Sequence, residues 1–460
     1  MAQSETTKYT ATTNACKLCT PLGACLAFRG IAGAIPFLHG SQGCATYIRR
    51  YLISHFKEPM DIASSSIDES STIFGGGVHF KTGLRNVCRQ YHPALIGVAT
   101  TCLSETIGDD VRLFINQYTA ENAAADATSA KDAPQIVAVS TPSYRGTHSN
   151  GFHDTVAAVV QALAAGGPTK SRQLNLLPGL VSPADLRHVK EILADFGLDF
   201  IVLPDYSETL DGPIWEKYQR IPPGGTTLAA IHAMGRSALT IQLGRSLLPD
   251  HRYAGDRLQQ NFSVPCFRLG LPIGVNETDR FLKTLASFSG NAIPAKYQAE
   301  RGRLIDSYVD GHKYVFEKRA VLYGEADLVI GLASFLAEIG IIPVLCATGA
   351  ANVSLADRLA ETIPETAGQI TVKEDVDFQE IANLAAGLEP DLIIGNSKGY
   401  SLSRILDLPL IRVGFPIHDR LGGGRILHFG YRGAQQLFDT IVNTILERKQ
   451  NHSPVGYSYM

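Results

Sequence analysis

The sequence predicts an α/β protein: three doubly wound, Rossmann-like domains with mainly parallel sheets. Length is the first observation behind this, since 460 residues exceed what one core organises and correspond to about three units of roughly 150 residues. Rhythm is the second: short apolar runs alternate with amphipathic stretches, the pattern of repeated βα units. Composition is the third, at 45% hydrophobic and 18% charged, which is ordinary for a globular chain.

Taken in order, buried strands are expected at 94–99 (ALIGVA), 135–140 (QIVAVS), 173–177 (QLNLL) and 200–204 (FIVLP). Others follow at 238–242 (ALTIQ), 319–323 (RAVLY), 342–346 (IPVLC), 391–395 (DLIIG) and 409–413 (PLIRV). Between them, 151–165, 184–196 and 326–340 carry helix patterns. The Ala- and Ser-rich segment 120–133 has no apolar stripe and reads as an exposed insertion. A break at 166–172 (GGPTKSR) and a charged helix over 296–318 mark unit boundaries, which places domains at 1–168, 169–318 and 319–460. The tail NHSPVGYSYM suits a strand or arm packed on a partner.

A net charge of −3 argues against nucleic acid, which selects clustered Lys and Arg. The first fifteen residues are polar and lack the apolar core of a secretory signal. The apolar stretch 326–343 is interrupted by Glu338 and Pro343 and is short for a bilayer. A soluble, cytoplasmic protein without membrane contact is the expectation.

Eight cysteines, five of them before position 90, favour metal or redox work over cross-links in a reducing compartment. Cys266 and Cys346 lie in or beside apolar runs and read as inert buried thiols, and Cys25 and Cys88 as helix core. Cys19, Cys44 and Cys102 differ, each sitting in a Gly-rich turn or at the end of an apolar run. Three thiolates leave a tetrahedral single-metal site incomplete; they suit half of a multi-iron sulfide cluster whose other half belongs to a second polypeptide. Cys102 follows strand 94–99 and precedes a helix start, where the helix dipole favours thiolate. Ser143 follows strand 135–140 and offers either an oxygen ligand to iron or a turn and capping hydroxyl.

Cys16 and Cys19 form a C-x-x-C pair, the spacing of a redox dithiol or half a zinc knuckle. No second pair completes a zinc site, so Cys19 is read as a ligand and Cys16 is assigned no role. The sequence has neither a nucleotide-binding P-loop nor a Cys-rich ferredoxin run, so ATP hydrolysis and the rest of the cluster fall to partners. Gly395-Asn396-Ser397-Lys398-Gly399 matches the G-x-S-x-G nucleophile elbow, with Asp407, His418, Asp419 and His428 downstream. The competing reading is a turn at a strand end that closes against the cluster domain.

The stretches KLCTPLGACLAFRGI, IPFLHGSQGCATYIRRYLISHFKEP, IFGGG, VATTCLSETIGDD and STPSYRGTHSNGF occur in order. They resemble the β-type subunit of the nitrogenase-like component-one family, densely over 16–112 and 140–152 and more diffusely to the C-terminus. That resemblance implies that Cys19, Cys44 and Cys102 are the β-side thiolates of a bridging 8Fe–7S P-type cluster shared with an α-type subunit, a 4Fe–4S cluster being the alternative. Ser143 falls where the family has a serine that binds iron in an oxidised state. Tyr47 resembles a residue between that cluster and the substrate-reducing cofactor. Phe74 is similar to the aromatic at the docking surface for an ATP-dependent iron protein, against the plainer reading of a core Phe. The implied assembly is an α2β2 heterotetramer whose nitrogenase-type iron–sulfur cofactor lies in the α subunit, with no catalytic residue in this chain. The short N-terminus departs from molybdenum nitrogenase β-subunits. The complete Cys set with Ser143 departs from many assembly-scaffold subunits. Together they point to a catalytic reductase, a methylthio-alkane reductase cleaving C–S bonds, with a cofactor-assembly scaffold as the alternative.

Overall fold

A computed structural model describes residues 15–125, 133–247 and 253–455. Three parallel sheets organise it. The first contains β1 (Ala34–His39), β2 (Ala63–Ser64), β3 (Leu95–Thr100) and β4 (Gln135–Val139) in the order β2-β1-β3-β4. The second contains β5 (Leu174–Leu177), β6 (Phe200–Val202), β7 (Leu239–Leu243) and β8 (Cys266–Leu269) in the order β6-β5-β7-β8. The third, five-stranded, contains β9 (Arg319–Gly324), β10 (Ile342–Thr348), β11 (Thr371–Lys373), β12 (Leu392–Gly395) and β13 (Leu410–Arg412) in the order β11-β10-β9-β12-β13. All sheet pairings are parallel, so each strand must be joined to the next by a crossover, usually a helix.

Every strand expected from an apolar run is present. The four that periodicity missed have local reasons. Pro36 breaks the pattern of β1, yet β2 pairs only with Phe37 and Leu38, leaving Pro36 without a partner on that flank. β2 has two residues, and β8 and β11 are edge strands with polar or half-exposed positions.

The helices of the first layer are α1 (Thr20–Arg29), α2 (Gln42–Phe56), α3 (Glu69–Phe74), α4 (Gly77–Tyr91), α5 (Cys102–Thr106), α6 (Val111–Ala125) and α7 (His148–Leu163). The insertion expected from 120 is corrected here: alanine is the strongest helix former, and α6 continues to Ala125. Residues 126–132 of that segment, and the last five of the tail, lie outside the described residues. The charged segment near 300 forms the helix Ala295–Val315, which packs against the helix Gly430–Asn451. Among the described residues no helix is long and apolar enough to cross a membrane.

Length predicted separate cores, but one buried apolar cluster threads all three sheets, from Leu22 and Leu95 through Leu176 and Ile241 to Leu322 and Ile394. α1, buried along its whole length, is the element on which this depends. It crosses α7 at backbone contact. A Cβ on Gly23 would sit 1.7 Å from the carbonyl oxygen of His148, and one on Gly151 would sit 2.0 Å from that of Thr20.

Gly151→Ala is therefore expected to lower the unfolding free energy by about 2 kcal/mol or more, the overpacking range for a site that cannot yield. Gly302→Ala, in a helix with nothing within 4 Å of the new methyl, is expected to stabilise by up to about 1 kcal/mol. Chemical denaturation of the two variants side by side checks this, and equal shifts would refute the close-contact account.

Candidate metal centre

Parallel sheets present functional groups on the loops that leave the carboxyl ends of their strands. In the first sheet β1 leads to Ser41 and Cys44, β3 leads to Cys102, and β4 leads to Ser143. Cys44 lies in the first turn of α2 and Cys102 is the first residue of α5. Cys19 is the N-cap residue of α1, held in extended conformation ahead of Pro21.

Two hydrogen bonds join three of these positions. The Ser143 amide donates to the Cys102 sulfur at 3.2 Å, and the Ser143 hydroxyl oxygen accepts from the Thr20 amide, next to Cys19, at 3.3 Å. Ser143 thus bridges the loops of Cys102 and Cys19 with its own backbone and side chain. Cys44 joins through β1. The His39 carbonyl accepts from the Thr101 amide at 3.1 Å, the Thr101 hydroxyl at 3.1 Å and the Ser104 hydroxyl at 2.7 Å. Gly40 packs so closely on Thr101 that a Cβ would lie 2.1 Å from its hydroxyl oxygen. On the Cys44 side, the Ser41 hydroxyl points at the Cys44 sulfur, 3.7 Å away.

Cys19 and Cys102 are exposed and Cys44 is part-exposed. Among the described residues no group of three or more His, Cys, Asp or Glu side chains surrounds a position for one ion. Among the described residues these thiols do not enclose a single metal, and two of the three are exposed.

The other thiols sort by burial. Cys16 turns away from Cys19 into the third layer, among Val321, Tyr323, Leu345 and Phe378. Burial, aided by the nearby Glu325 charge, pushes its thiol up to about 12. The C-x-x-C pair is thereby divided and makes neither a dithiol nor a zinc half-site. Cys25 and Cys346 are fully buried, and burial raises both thiols. Cys88 contacts the Tyr118 hydroxyl at 3.3 Å. The expectation for Cys266 is corrected: it is only part-buried, on edge strand β8, with a thiol raised to about 11 mainly by burial.

Tyr47 is exposed on α2, one turn beyond Cys44. Phe74 is 87% exposed and, with Ile73 and Val78, forms an apolar surface patch, which rules out a core role. Asp68 caps α3, its carboxylate accepting from the Ser71 amide at 2.8 Å and from the Ser70 and Ser71 hydroxyls. Those bonds hold it well below the usual carboxylate range.

Beneath the patch lies a pair that sequence patterning did not single out. His39 Nε2 and Asp109 Oδ2 are 2.9 Å apart and nearly inaccessible, and Asp109 also accepts from the Gly76 amide at 3.1 and 3.2 Å. His39 Nδ1 meets the Ser65 hydroxyl at 2.9 Å. Burial lowers the His39 pKa and the Asp109 carboxylate opposes that shift. The only signal was their place inside two of the motif stretches.

The nucleophile elbow is not assembled. The Ser397 hydroxyl donates to the Pro416 carbonyl at 3.0 Å and accepts from the His418 amide at 3.1 Å, and among the described residues no imidazole nitrogen is bonded to it. His418 Nε2 instead faces the Tyr51 carbonyl.

Three parallel sheets with thiols at strand ends and helix starts define an α/β protein of layered, doubly wound type. Residues 19–446 match the family model described as nitrogenase component 1 type oxidoreductase, and the chain belongs to that family. It is 37% identical over 440 residues to the nitrogenase molybdenum-iron protein beta chain of Clostridium pasteurianum, covering 95% of this chain and 93% of that one. It is 34% identical over 438 residues to the nitrogenase iron-molybdenum cofactor biosynthesis protein NifN of Nostoc sp., covering 95% and 94%. A solved structure titled nitrogenase Cp1 at pH 6.5 superposes with a TM-score of 0.92 at 35% identity, covering 98% of this chain and 97% of that one. The chain is thus a β-type subunit of a nitrogenase-like oxidoreductase. The near-complete overlap with the Clostridium chain corrects one inference: the short N-terminus does not separate this sequence from molybdenum-iron beta chains.

α2 is fixed at its far end by His55, which stacks edge-on to Phe56 and Phe415 and accepts from the Ile417 amide at 2.9 Å. Burial holds its pKa at about 3, below the ordinary 6.5. The folded state therefore keeps this ring neutral while the unfolded chain protonates it, so stability is complete above pH 6.5 and falls between 6.5 and 3. The expected slope from this group is about 1.4 kcal/mol per pH unit at most. Denaturation curves across that window should be flatter for His55→Gln; an unchanged slope would contradict the assignment.

Proposed function

We propose that this chain is the β-type, electron-relay subunit of a catalytic nitrogenase-like reductase, divided into units 1–168, 169–318 and 319–460. The observation that carries this is the Ser143 bridge, which gathers the Cys102 thiol, the Cys19 loop and a hydroxyl at one exposed edge. These residues fit half of a P-type cluster, in which Cys19, Cys44 and Cys102 would be the thiolate ligands, with Ser143 beside them as an oxygen donor. Such a group supplies one-electron storage and transfer when bound. The chain's own part is to hold Cys44 and Cys102 after β1 and β3 and Cys19 at the start of α1, with the Ser143 and Thr20 amides keeping these loops in register. An α-type subunit would complete the site and carry the reducing cofactor. An ATP-dependent iron protein would dock on the patch around Phe74, whose apolar exposure supports that reading, with Tyr47 on the path toward the partner.

Within the family, the complete set of Cys19, Cys44 and Cys102 with Ser143 supports a catalytic reductase, read here as a methylthio-alkane reductase that cleaves C–S bonds reductively. The wording of the motifs (KLCTPLGACLAFRGI and the GYSYM end) resembles methylthio-alkane reductases and assembly scaffolds alike. The cofactor-assembly scaffold is the second reading, favoured by the similarity to NifN. The purified complex decides between them. A bridging eight-iron cluster and turnover of a methylthio-alkane support the reductase; a four-iron cubane without turnover supports the scaffold.

Cys102→Ala is expected to remove most of the cluster iron and to lower electron delivery at least tenfold, while Cys88→Ala leaves both unchanged. Iron analysis with electron paramagnetic resonance of the complex measures this, and full iron in the Cys102 variant would sink the ligand assignment.

A further inference from the structure

The Gly395–Gly399 turn has a different use from the one its motif implies. It leaves the carboxyl end of β12, and Asn396 caps it by accepting from the Lys398 amide at 3.1 Å. What it presents is Lys398. The ammonium donates to the carbonyls of Ala15 and Lys17, the latter at 3.1 Å, and lies 5.8 Å from the centre of the Phe378 ring. Among the described residues no carboxylate pairs with it.

A part-buried cation held only by neutral carbonyls is costly unless negative charge lies close by. Burial lowers the pKa of Lys398, and the charges that oppose the shift are Cys16, Cys19 and Glu325. Cys16 is kept as a neutral thiol by its own burial. Glu325 is already engaged, its Oε1 lying 2.6 Å from His148 Nε2. Cys19 remains, exposed and two residues beyond the Lys17 carbonyl. The segment that carries it is clamped from every side. The Cys16 amide donates to the Val376 carbonyl at 3.0 Å, and Lys17 pairs with Asp375 at 2.8 Å. The Leu18 amide donates to His148 Nδ1 at 3.3 Å, and the Leu18 carbonyl accepts from the His148 amide at 3.0 Å. Gly349 leaves no room for a Cβ, which would lie 2.3 Å from the Cys16 carbonyl oxygen.

We infer that Lys398 is a positioning residue for Cys19: it fixes the Ala15–Leu18 backbone and supplies the counter-charge for an anionic iron–sulfur group bound at that thiolate. The inference rests on the reading of Cys19 as a cluster ligand.

The test uses the full complex with Lys398→Met and Lys398→Arg. Iron content is measured first, then the midpoint potential of the cluster by spectroscopic redox titration. Removing a positive charge disfavours the reduced form. At the wild-type midpoint, the oxidised-to-reduced ratio of the Met variant is therefore expected to rise from one to about ten, equivalent to 59 mV for one electron. The Arg variant is expected to restore most of it. A Met variant that keeps its iron with an unchanged midpoint overturns the inference. Hydrogen exchange on iron-free protein is the second readout. The hydrogen-bonded amides of Cys16 and Leu18 should exchange at least tenfold faster in the Met variant and not in the Arg variant; unchanged exchange overturns the positioning role even where iron is lost. Wild-type complex without iron at Cys19 would instead overturn the cluster reading, and the exchange result would still stand apart from it.

Discussion

Two glycines and two carbonyls set the geometry on which the rest depends. α1 and α7 meet with no side chain between them at Gly23 and Gly151, which lets the buried α1 pack between the first sheet and α7. Its N-terminus then arrives beside the loop that follows β4. The Thr20 amide reaches the Ser143 hydroxyl, and the Ser143 amide reaches the Cys102 sulfur. Interiors pack at crystal-like density, so a methyl at either glycine could be accommodated only by moving a helix, and the thiol loops move with it.

Environment, rather than residue type, divides the cysteines. Cys16 and Cys19 are three positions apart, yet one is a neutral thiol in the third layer's core and the other an exposed cap of α1. The split follows from the isolated bridge of Ala15 with Asp377 and from the Cys16–Val376 hydrogen bond, which draw the incoming chain across the third sheet before α1 begins. Burial favours the neutral thiol and exposure leaves a thiolate free to bind metal. A spacing that could have made a dithiol therefore places one thiol in the core and the other at the surface.

The strands most legible in the sequence were those buried on both faces, such as β3, β9 and β10, because a short continuous apolar run has few other uses. β1 was hidden by Pro36, whose cost depends on how far the neighbouring two-residue strand extends, and β8 by its four-residue length and half-exposed edge position. Of the candidate site, each thiol's position at a strand end or helix start was readable from local turn chemistry. The contacts that bring those ends together were not. Lys17 meets Asp375 and Lys398 reaches the Lys17 carbonyl across more than 350 positions, and no periodicity encodes such a meeting. Lys398 itself was visible only as the variable residue of a hydrolase-like motif. The strand-to-turn context of that motif was legible, and Ser397 serves the turn rather than a nucleophile's role.

His39 and Asp109 show how the surface and the thiols share one frame. Asp109 accepts from the Gly76 amide immediately after the exposed Phe74 and Gly75, and its other contact is the ring of His39. The carbonyl of that same His39 accepts from Thr101 and Ser104, which flank Cys102, and the chain continues through Gly40 and Ser41 toward Cys44. Every link is short and the His39–Asp109 hydrogen bond at its centre is nearly inaccessible to water, where no solvent competes for its donor and acceptor. A displacement of the Gly75–Gly77 turn would break a buried carboxylate's hydrogen bonds before it could be absorbed by solvent. One buried set of hydrogen bonds centred on His39 therefore joins the turn behind the apolar patch to the loops of Cys44 and Cys102.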